Sequence, residues 1–373
     1  MGKWEEIQIE KLFKIRSGNF IKRKDISENK EFPVYGGNGI TGYAEDFNLE
    51  GENIIIGRVG AKCGNVRFIK EKIWLTDNAF YISEYFEEFD KQFLKLFLEH
   101  YNLGSTANQA AQPVISYKGI KEIKIPLPPL PEQQRIVKKL DGLFAKIDQA
   151  IGLLEENILH TQALMGSVLD EIYSDGDTML KEVCVPGPKK SEVRDLDDNL
   201  EVSFLPMRDL NEHDINFIPN ETRKISEVYK GYTYFADGDI VLAKVTPCFE
   251  NGKAGLAKDL VNGIGFGSSE YHVLRPKVNM LPEWIYFSVL TEQFRVTGKE
   301  NMTGAGGLKR VPRPFLEEWK IPVPKLSIQK KQVKRIVQIQ EETKKLETSI
   351  QEKLDDLKAL KSSLLDQAFK GEM

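Results

Sequence analysis

Two long stretches of the chain carry apolar residues at heptad spacing. The first follows the proline cluster IPLPPLPEQQ (125–134), and prolines followed by an acid and glutamines are typical of a helix start. Its apolar positions recur at alternating steps of three and four residues, which predicts a coiled-coil helix that ends near Tyr173. These positions are Leu140, Phe144, Ile147, Ile151, Leu154, Ile158, Thr161, Met165, Val168 and Ile172.

The second stretch follows a similar cluster, IPVPKLSIQ (321–329), and predicts a helix from about Ser327 to Phe369. Each heptad pattern forms a stripe of apolar residues along its helix, called a seam below. Two such seams in one chain most simply pack on each other, and the order of the segments then makes the helices antiparallel. Two separate coiled coils that dimerise between chains remain an alternative. The second seam is predicted to contain Val333, Ile336, Gln340, Thr343, Leu346, Ile350, Leu354, Leu357, Leu360, Leu364 and Ala368.

The remaining sequence forms two stretches that look like divergent copies. In each, a glycine–acid turn leads into an apolar strand, GENIIIGRVG (51–60) and GDIVLAKVTP (238–247). Each also contains one amphipathic helix, FLKLFLEH (93–100) or EWIYFSVL (283–290), and then a loop rich in glycine, threonine and asparagine. The pattern predicts duplicated α+β domains, since a repeat of about 190 residues is too long for a solenoid.

Composition narrows the possible functions. The chain has 373 residues with 52 basic and 56 acidic side chains, a net charge of −4. This balance argues against a surface that coats nucleic acid everywhere, but it allows a local basic groove. The three cysteines are far apart and odd in number, which argues against a disulfide framework, and no stretch reaches membrane-spanning length. We therefore expect a cytoplasmic protein without membrane association.

Catalytic motifs are missing from the sequence. It contains neither the [DN]-P-P-[YF] tetrapeptide of amino-methyltransferases nor a phosphate-binding P-loop. The segment GIGFG (263–267) favours a closely packed strand over a nucleotide-binding loop, because no helical pattern follows it. The histidines and cysteines do not have metal-ligand spacing. We expect a protein that is not an enzyme and that holds no cofactor or metal.

The proline-led helix start PLPPLPEQQRIV, its second copy, the segment VYGGNGITGY (34–43) and the glycine-rich loop before KRVP resemble the specificity (S) subunit of type I restriction-modification systems. The resemblance covers essentially the whole chain, although Ser327 and Ile328 stand in the second copy where Pro131 and Glu132 stand in the first. It implies two α+β target-recognition domains joined by two long antiparallel coiled-coil helices, with a pseudo-two-fold internal repeat. The implied boundaries are 1–125, 126–177, 178–320 and 321–373, in the order domain, helix, domain, helix.

The resemblance also implies a function. Each domain would read one half of a bipartite site in double-stranded DNA, while the helices set the spacing and dock two methyltransferase subunits. Those subunits would methylate adenine with S-adenosylmethionine, and motor-nuclease subunits with ATP and Mg would cleave unmodified DNA. Two alternatives stay open: a specificity protein that serves a fused methyltransferase-nuclease, and a coiled-coil scaffold whose globules bind proteins.

The residue types that contact DNA suggest where each globule would bind, since arginine and lysine grip phosphate or guanine and amides read adenine. The alternatives are a solvated basic run, a plain hairpin turn at 36–39, a bulge after the strand, and ordinary polar loops. The first globule offers Lys22, Arg23, Lys24, Asn38, Thr41, Arg58, Lys62, Asn108, Gln109 and Gln112. The second offers Lys244, Asn251, Lys253, Lys309, Arg310 and Arg313, of which the last three are predicted to contact phosphate.

Overall fold

The computed structural model of the chain describes residues 4–108, 112–212, 214–305 and 307–373. Its contacts divide the chain into two compact units. The first unit comprises Met1–Glu155 and Gln351–Met373, and the second comprises Glu156–Ile350. Each unit therefore contains one of the two globular domains, called globules below, and a part of each long helix.

The first globule is a mixed α/β structure. Its strands are β1 (Glu5–Gln8), β2 (Phe13–Ser17), β3 (Phe32–Gly36), β4 (Gly39–Ala44), β5 (Asn53–Gly57), β6 (Val66–Ile69), β7 (Trp74–Leu75), β8 (Ala79–Tyr85) and β9 (Lys124–Leu127). Its helices are α1 (Ile9–Leu12), α2 (Lys91–His100) and α3 (Tyr117–Ile120), and the first long helix, α4 (Leu130–Tyr173), follows. One antiparallel sheet has the order β2-β8-β5-β6, a second has the order β4-β3-β7 with β3 and β7 parallel, and β1 pairs with β9.

The position of β5 between two cores explains its unbroken run of isoleucines. Successive side chains of a strand point to opposite faces. Ile54 and Ile56 lie in a core with α2, whereas Ile55 lies in a separate core with Tyr35 and Leu75 of the second sheet. The strand is thus buried on both faces, and each isoleucine contributes on the order of 1.5–3 kcal/mol of hydrophobic stabilisation.

The second globule has a similar set of elements. Its strands are β10 (Thr178–Met179), β11 (Cys184–Pro186), β12 (Glu201–Leu205), β13 (Glu221–Lys224), β14 (Thr233–Ala236), β15 (Ile240–Ala243), β16 (Ala254–Leu256), β17 (Ile264–Gly267), β18 (Tyr271–Pro276) and β19 (Lys320–Ile321). Its helices are α5 (Leu180–Val183), α6 (Ile225–Val228), α7 (Pro282–Ser288), α8 (Glu292–Glu300) and α9 (Arg313–Glu318), and the second long helix, α10 (Leu326–Phe369), follows.

The sheet topology repeats between the two globules. The order β11-β18-β15-β16 matches β2-β8-β5-β6, the parallel pair β12–β17 matches β3–β7, and β10–β19 matches β1–β9. Strand β14 is an addition, paired with β17. The GIGFG segment forms β17, where a Cβ on Gly265 would lie 2.1 Å from the Phe235 ring, so the prediction of a closely packed strand is confirmed. The predicted α+β duplication is confirmed as well.

Both long helices have 44 residues, and their predicted ends at Tyr173 and Phe369 are confirmed. Within the first unit they run antiparallel, because the early residue Arg135 of α4 donates to the terminal carbonyl of Met373 (2.7 Å), while Asp148 pairs with Lys361 (2.8 Å). Within the second unit, the end of α4 shares a core with Ile336 near the start of α10.

The predicted seam of α10 is wrong at two positions. The side chains of Leu346 and Leu360 are 51% and 46% exposed. The buried stripe instead passes one residue further on, through the half-buried Glu347 and Lys361. Lys361 suits this position because its aliphatic stem covers the Phe144 ring, with Nζ 4.7 Å from the ring centroid, while its charge meets Asp148.

A buried glutamine anchors the start of each long helix. Gln133 accepts a hydrogen bond from the backbone N–H of Asp90, the residue that caps α2, and donates to the carbonyl of Pro128. Gln329 accepts from the N–H of Leu281, which precedes α7, and donates to the carbonyl of Pro324. The glutamine in each repeated motif therefore fastens the long helix to the helix of its own globule.

Among the described residues, no helix is both long enough and apolar enough to cross a lipid bilayer.

Candidate DNA interface

In the first globule, three polar segments meet where β5 ends. They are the turn at residues 37–38 between β3 and β4, the loop at 58–65, and a third segment of which residues 103–108 and 112–115 are described. The N–H of Gly60 donates to the carbonyl of Pro113 (3.0 Å), and the N–H of Ile115 donates to the carbonyl of Arg58 (2.9 Å). Backbone bonds thus tie the second segment to the third.

The turn is tied to the same place by a glycine. A Cβ on Gly37 would lie 2.3 Å from the carbonyl oxygen of Val59, which only glycine avoids. The antiparallel pairing of β3 with β4 makes this turn a hairpin, and its tip lies against the loop at 58–65. Asn38 is exposed at this tip, and Thr41 is exposed on β4 with its hydroxyl bonded to the carbonyl of Val34 (3.2 Å).

Arg58 and Lys62 have different surroundings. Arg58 is half-buried: its Nη1 donates to the carbonyl of Asp77 (3.4 Å), and its guanidinium lies 5.2 Å from the centre of the Phe80 ring. Lys62 is exposed on the loop. Arg58 is consequently positioned by contacts within the globule, whereas Lys62 extends from the exposed loop.

The predicted amides lie on the third segment. The side-chain oxygen of Asn108 accepts from the N–H of Val114 (2.9 Å). Gln112 is exposed, and Gln109 lies outside the described residues. The basic run Lys22, Arg23 and Lys24 is exposed on a 3₁₀ turn beside β4, and the structure does not join it to the three segments.

The sequence analysis missed two residues that connect the turn to the loop. Asn65 donates to the carbonyl of Gly37 (3.1 Å), and its side-chain oxygen accepts from Nη1 of Arg67 (2.7 Å). Nη2 of Arg67 donates to the carbonyl of Asn38 (3.0 Å). The signal in the sequence was a basic residue in the strand directly after the glycine-rich loop, on the strand's partly exposed face.

The second globule repeats three backbone hydrogen bonds of this framework. The N–H of Thr246 donates to the carbonyl of Lys309 (3.0 Å), and the N–H of Val311 donates to the carbonyl of Lys244 (2.8 Å). The N–H of Lys244 donates to the backbone carbonyl of Glu270, as that of Arg58 does to the backbone carbonyl of Asn78 (both 2.9 Å). These bonds make Lys244 the counterpart of Arg58, and Glu270 the counterpart of Asn78.

The predicted residues of the loop after β15 are mostly engaged within the globule. Nζ of Lys244 donates to the carbonyl of Ser269 (2.7 Å), and Nζ of Lys253 donates to that of Met207 (3.4 Å). Both side chains are half-buried. The amide of Asn251 is exposed and donates to Glu212 (3.3 Å).

The three basic residues that the sequence analysis grouped have different surroundings in the structure. Lys309 is exposed, and no described residue pairs with its ammonium group. Arg310 forms two 2.8 Å bonds with the Glu270 carboxylate, which lower the pKa of that carboxyl below its usual value. Arg313 donates to Glu317 (2.6 Å) and to the carbonyl of Pro186. Lys309 is thus the member of the group whose charge is available to a ligand.

No cluster of histidine, cysteine and acidic side chains in the described parts of the chain is arranged to hold a metal ion.

Comparison with known proteins agrees with this arrangement. The family model of the type I restriction modification DNA specificity domain matches residues 1–156 and 178–356. The two matches cover most of the chain and fall on the two globules with their helix segments. The chain belongs to this family, which confirms the resemblance drawn from the proline-led helix starts.

Individual relatives match over shorter stretches. The EcoEI specificity subunit of Escherichia coli is 43% identical over 146 residues, which are 39% of this chain and 24% of the relative. The EcoAI specificity subunit of the same organism is 39% identical over 170 residues, 45% of this chain and 29% of the relative. The matched stretches therefore span less than a third of the length of either relative.

A solved structure matches over the full length. It comes from work described as the structural basis of complex assembly and conformational transition of the type I R-M system, with a TM-score of 0.73. The identity is 17%, and the match covers 100% of this chain and 98% of that chain. At this identity the match shows a shared fold, and it confirms the predicted fold class.

Proposed function

We propose that this chain is the DNA-sequence-specificity subunit of a type I restriction-modification complex and has no catalytic role of its own. Each globule, 1–125 and 178–320, reads one half of a bipartite site in double-stranded DNA. The observation that carries the proposal is the repeated backbone framework after β5 and β15, which presents polar and basic side chains on matching loops.

The side chains on the two frameworks support two different half-sites. Arg58 and Lys244 keep a cation at one matching position, which suits a phosphate contact that either globule needs. Asn78 is replaced by Glu270, and Val114 by Arg310, so the groups available to base edges differ. A site with two unlike halves requires a phosphate contact that both globules share and base-contacting side chains that differ between them.

The long helices, 126–177 and 321–373, set the gap between the half-sites and dock two methyltransferase subunits. Exposed leucines support docking, because apolar surface left in water gains stability by burial against a partner. The leucines of the long helices that are 46–65% exposed are Leu153, Leu159, Leu164, Leu346 and Leu360.

The chemistry then belongs to the partners. The methyltransferase subunits supply S-adenosylmethionine and methylate adenine, and motor-nuclease subunits with ATP and Mg cleave unmodified DNA. The complex works in the cytoplasm, where the DNA is. A scaffold whose globules bind proteins would favour apolar surfaces at the loop ends, whereas the loops here present lysine, arginine and amides.

Co-expression with type I methyltransferase subunits tests the proposal. DNA from these cells is sequenced for modified adenines, and cells with the methyltransferase subunits alone are the control. We expect modification at a split motif with a fixed unspecified gap. A stable complex that leaves the DNA unmodified and selects no sequence in vitro would contradict the proposal and favour the scaffold.

A further inference from the structure

We propose that Arg310 reads a base edge, that its preferred target is guanine, and that Glu270 is the residue that positions it. This inference rests on the proposed function and assigns Arg310 a role different from that of its neighbour Lys309. It changes the prediction drawn from the sequence, in which both residues contact phosphate.

The backbone of Arg310 is fixed from both sides. Its N–H donates to the carbonyl of Thr303 (2.8 Å), and its carbonyl accepts from the N–H of Thr303 (3.0 Å). The next residue, Val311, donates to the carbonyl of Lys244 (2.8 Å). The Cα of Arg310 is therefore held between two segments, unlike that of a residue on a free loop.

The guanidinium is fixed as well. Nε donates to Oε2 of Glu270 and Nη2 donates to Oε1, each over 2.8 Å, so the carboxylate binds one side of the planar group. A guanidinium has five N–H bonds, and three remain: two on Nη1 and one on Nη2. The remaining N–H of Nη2 and one N–H of Nη1 point in parallel. Together they form the fork that pairs with O6 and N7 of guanine in the major groove.

Charge favours a base over a phosphate. Glu270 stays ionised because the two bonds from Arg310 lower the pKa of its carboxyl. The ion pair then has no net charge and adds little to the attraction of the DNA backbone. What remains available is directional donor capacity on a side chain that is 44% exposed. The brace also reduces the conformational entropy that the arginine loses on binding.

The first globule has no such pair at the matching positions, which hold Val114 and Asn78. Its braced arginine is Arg67, held by Asn65 and by the carbonyl of Asn38. Strand pairing matches Arg67 with Gly255 in the second globule. Arg67 lies opposite Ile55 and Gly255 lies opposite Val241, and these two residues stand three positions before the counterparts Arg58 and Lys244. Each globule thus carries a braced arginine at a position where the other has none.

Selection from a library of random DNA duplexes tests the inference. The full chain is purified with its methyltransferase subunits, and the bound duplexes are sequenced for the wild type and for Arg310→Lys, Glu270→Gln and Lys309→Ala. We expect Arg310→Lys to lose about tenfold or more of the discrimination at one base pair of one half-site, since a point charge cannot form the fork. Binding to the other half-site is the internal control for folding.

The other two variants separate the base contact from a phosphate contact. Glu270→Gln frees a positive charge, so we expect weaker discrimination at the same base pair together with a steeper salt dependence of binding. Lys309→Ala is expected to weaken all sequences equally and to lower the salt slope by about one.

Three results would overturn the inference. The first is an Arg310→Lys complex with wild-type preferences, and the second is equal weakening on every sequence. The third is loss of selection across a whole half-site, which would indicate a structural role. A wild-type complex that selects no sequence would contradict the proposed function itself, and the inference would fall with it.

Discussion

Gln133 and Gln329 show how a single residue type carries the repeat. Each is only 1% exposed, and each satisfies one backbone donor and one backbone acceptor at a helix junction. Buried polar groups that lose their partners cost more than the bond itself contributes, because they are no longer hydrated. The two glutamines are therefore structural, although they stand in the motif that identified the family.

We expect Gln133→Met to lower the free energy of unfolding by about 1–3 kcal/mol, because the N–H of Asp90 loses its partner. The neighbour Gln134 is exposed and provides the matched control, Gln134→Met, with an effect within about 0.5 kcal/mol. Urea denaturation of both variants measures the difference. Equal stabilities would show that the buried hydrogen bonds do not matter.

His272 gives the stability of the second globule a predictable pH dependence. Burial lowers its pKa, and the neighbouring Lys244 and Arg313 lower it further, whereas its bond to the carbonyl of Val311 and the charge of Glu270 oppose the shift. The unfolded chain keeps the ordinary pKa of about 6.5 and binds the proton first as the pH falls. Stability from this group is thus complete above about pH 6.5 and is lost as the pH falls towards the lowered value.

Unfolding measured at pH 7 and pH 5.5 tests this sign. We expect His272→Asn to reduce the loss of stability between these two pH values. His160→Asn is the matched control, since His160 is exposed on α4, and it should leave the loss unchanged. An unchanged loss in His272→Asn would mean that other groups cause the pH dependence.

The limits of sequence reasoning are clearest at Arg310. Its position in a basic, glycine-rich segment was enough to predict exposure and a role near DNA. Its partner Glu270 lies 40 residues earlier in the chain, and only the pairing of β15 with β18 brings the two segments together. Charge pairs of this kind depend on sheet register, which composition and local pattern do not determine.

At the scale of elements, the long helices were predictable in extent but not in rotation. The proline clusters and the heptad pattern predicted their ends correctly. Around Ile350, however, leucines occupy two adjacent rows of α10, and hydrophobicity alone does not distinguish the inner row from the outer one. The partner helix decides: Lys361 is drawn inward by Asp148 and Phe144, and Leu360 is turned outward.

This rotation predicts opposite effects for two neighbouring positions. Leu346→Gln is expected to leave stability within about 0.5 kcal/mol but to weaken co-purification of the methyltransferase subunits, because Leu346 is 51% exposed. Ile350→Ala is expected to cost about 2–5 kcal/mol, since Ile350 is 4% exposed.

Urea denaturation and quantitative pull-down of each variant separate the two roles. If Leu346→Gln retained full partner binding, the exposed leucine would have no part in docking.

For the whole molecule, duplication accounts for both the fold and the proposed function. The strand pairings, the glutamine anchors and the loop framework recur in the same order along the chain. The second globule adds strand β14, and the side chains on the shared framework differ at positions that include 67, 78, 114, 255, 270 and 310. Because the backbone framework is repeated and the base-contacting side chains differ, substitutions in one globule can alter its half-site without altering the other half-site.

Replacing residues 1–125 with the matching segment of another specificity subunit tests this claim most directly. The hybrid is co-expressed with the methyltransferase subunits, and the modified adenines are mapped by sequencing. We predict that one half of the motif changes, while the other half and the gap stay as in the parent. A change in both halves, or in neither, would contradict the account that each globule reads its own half-site.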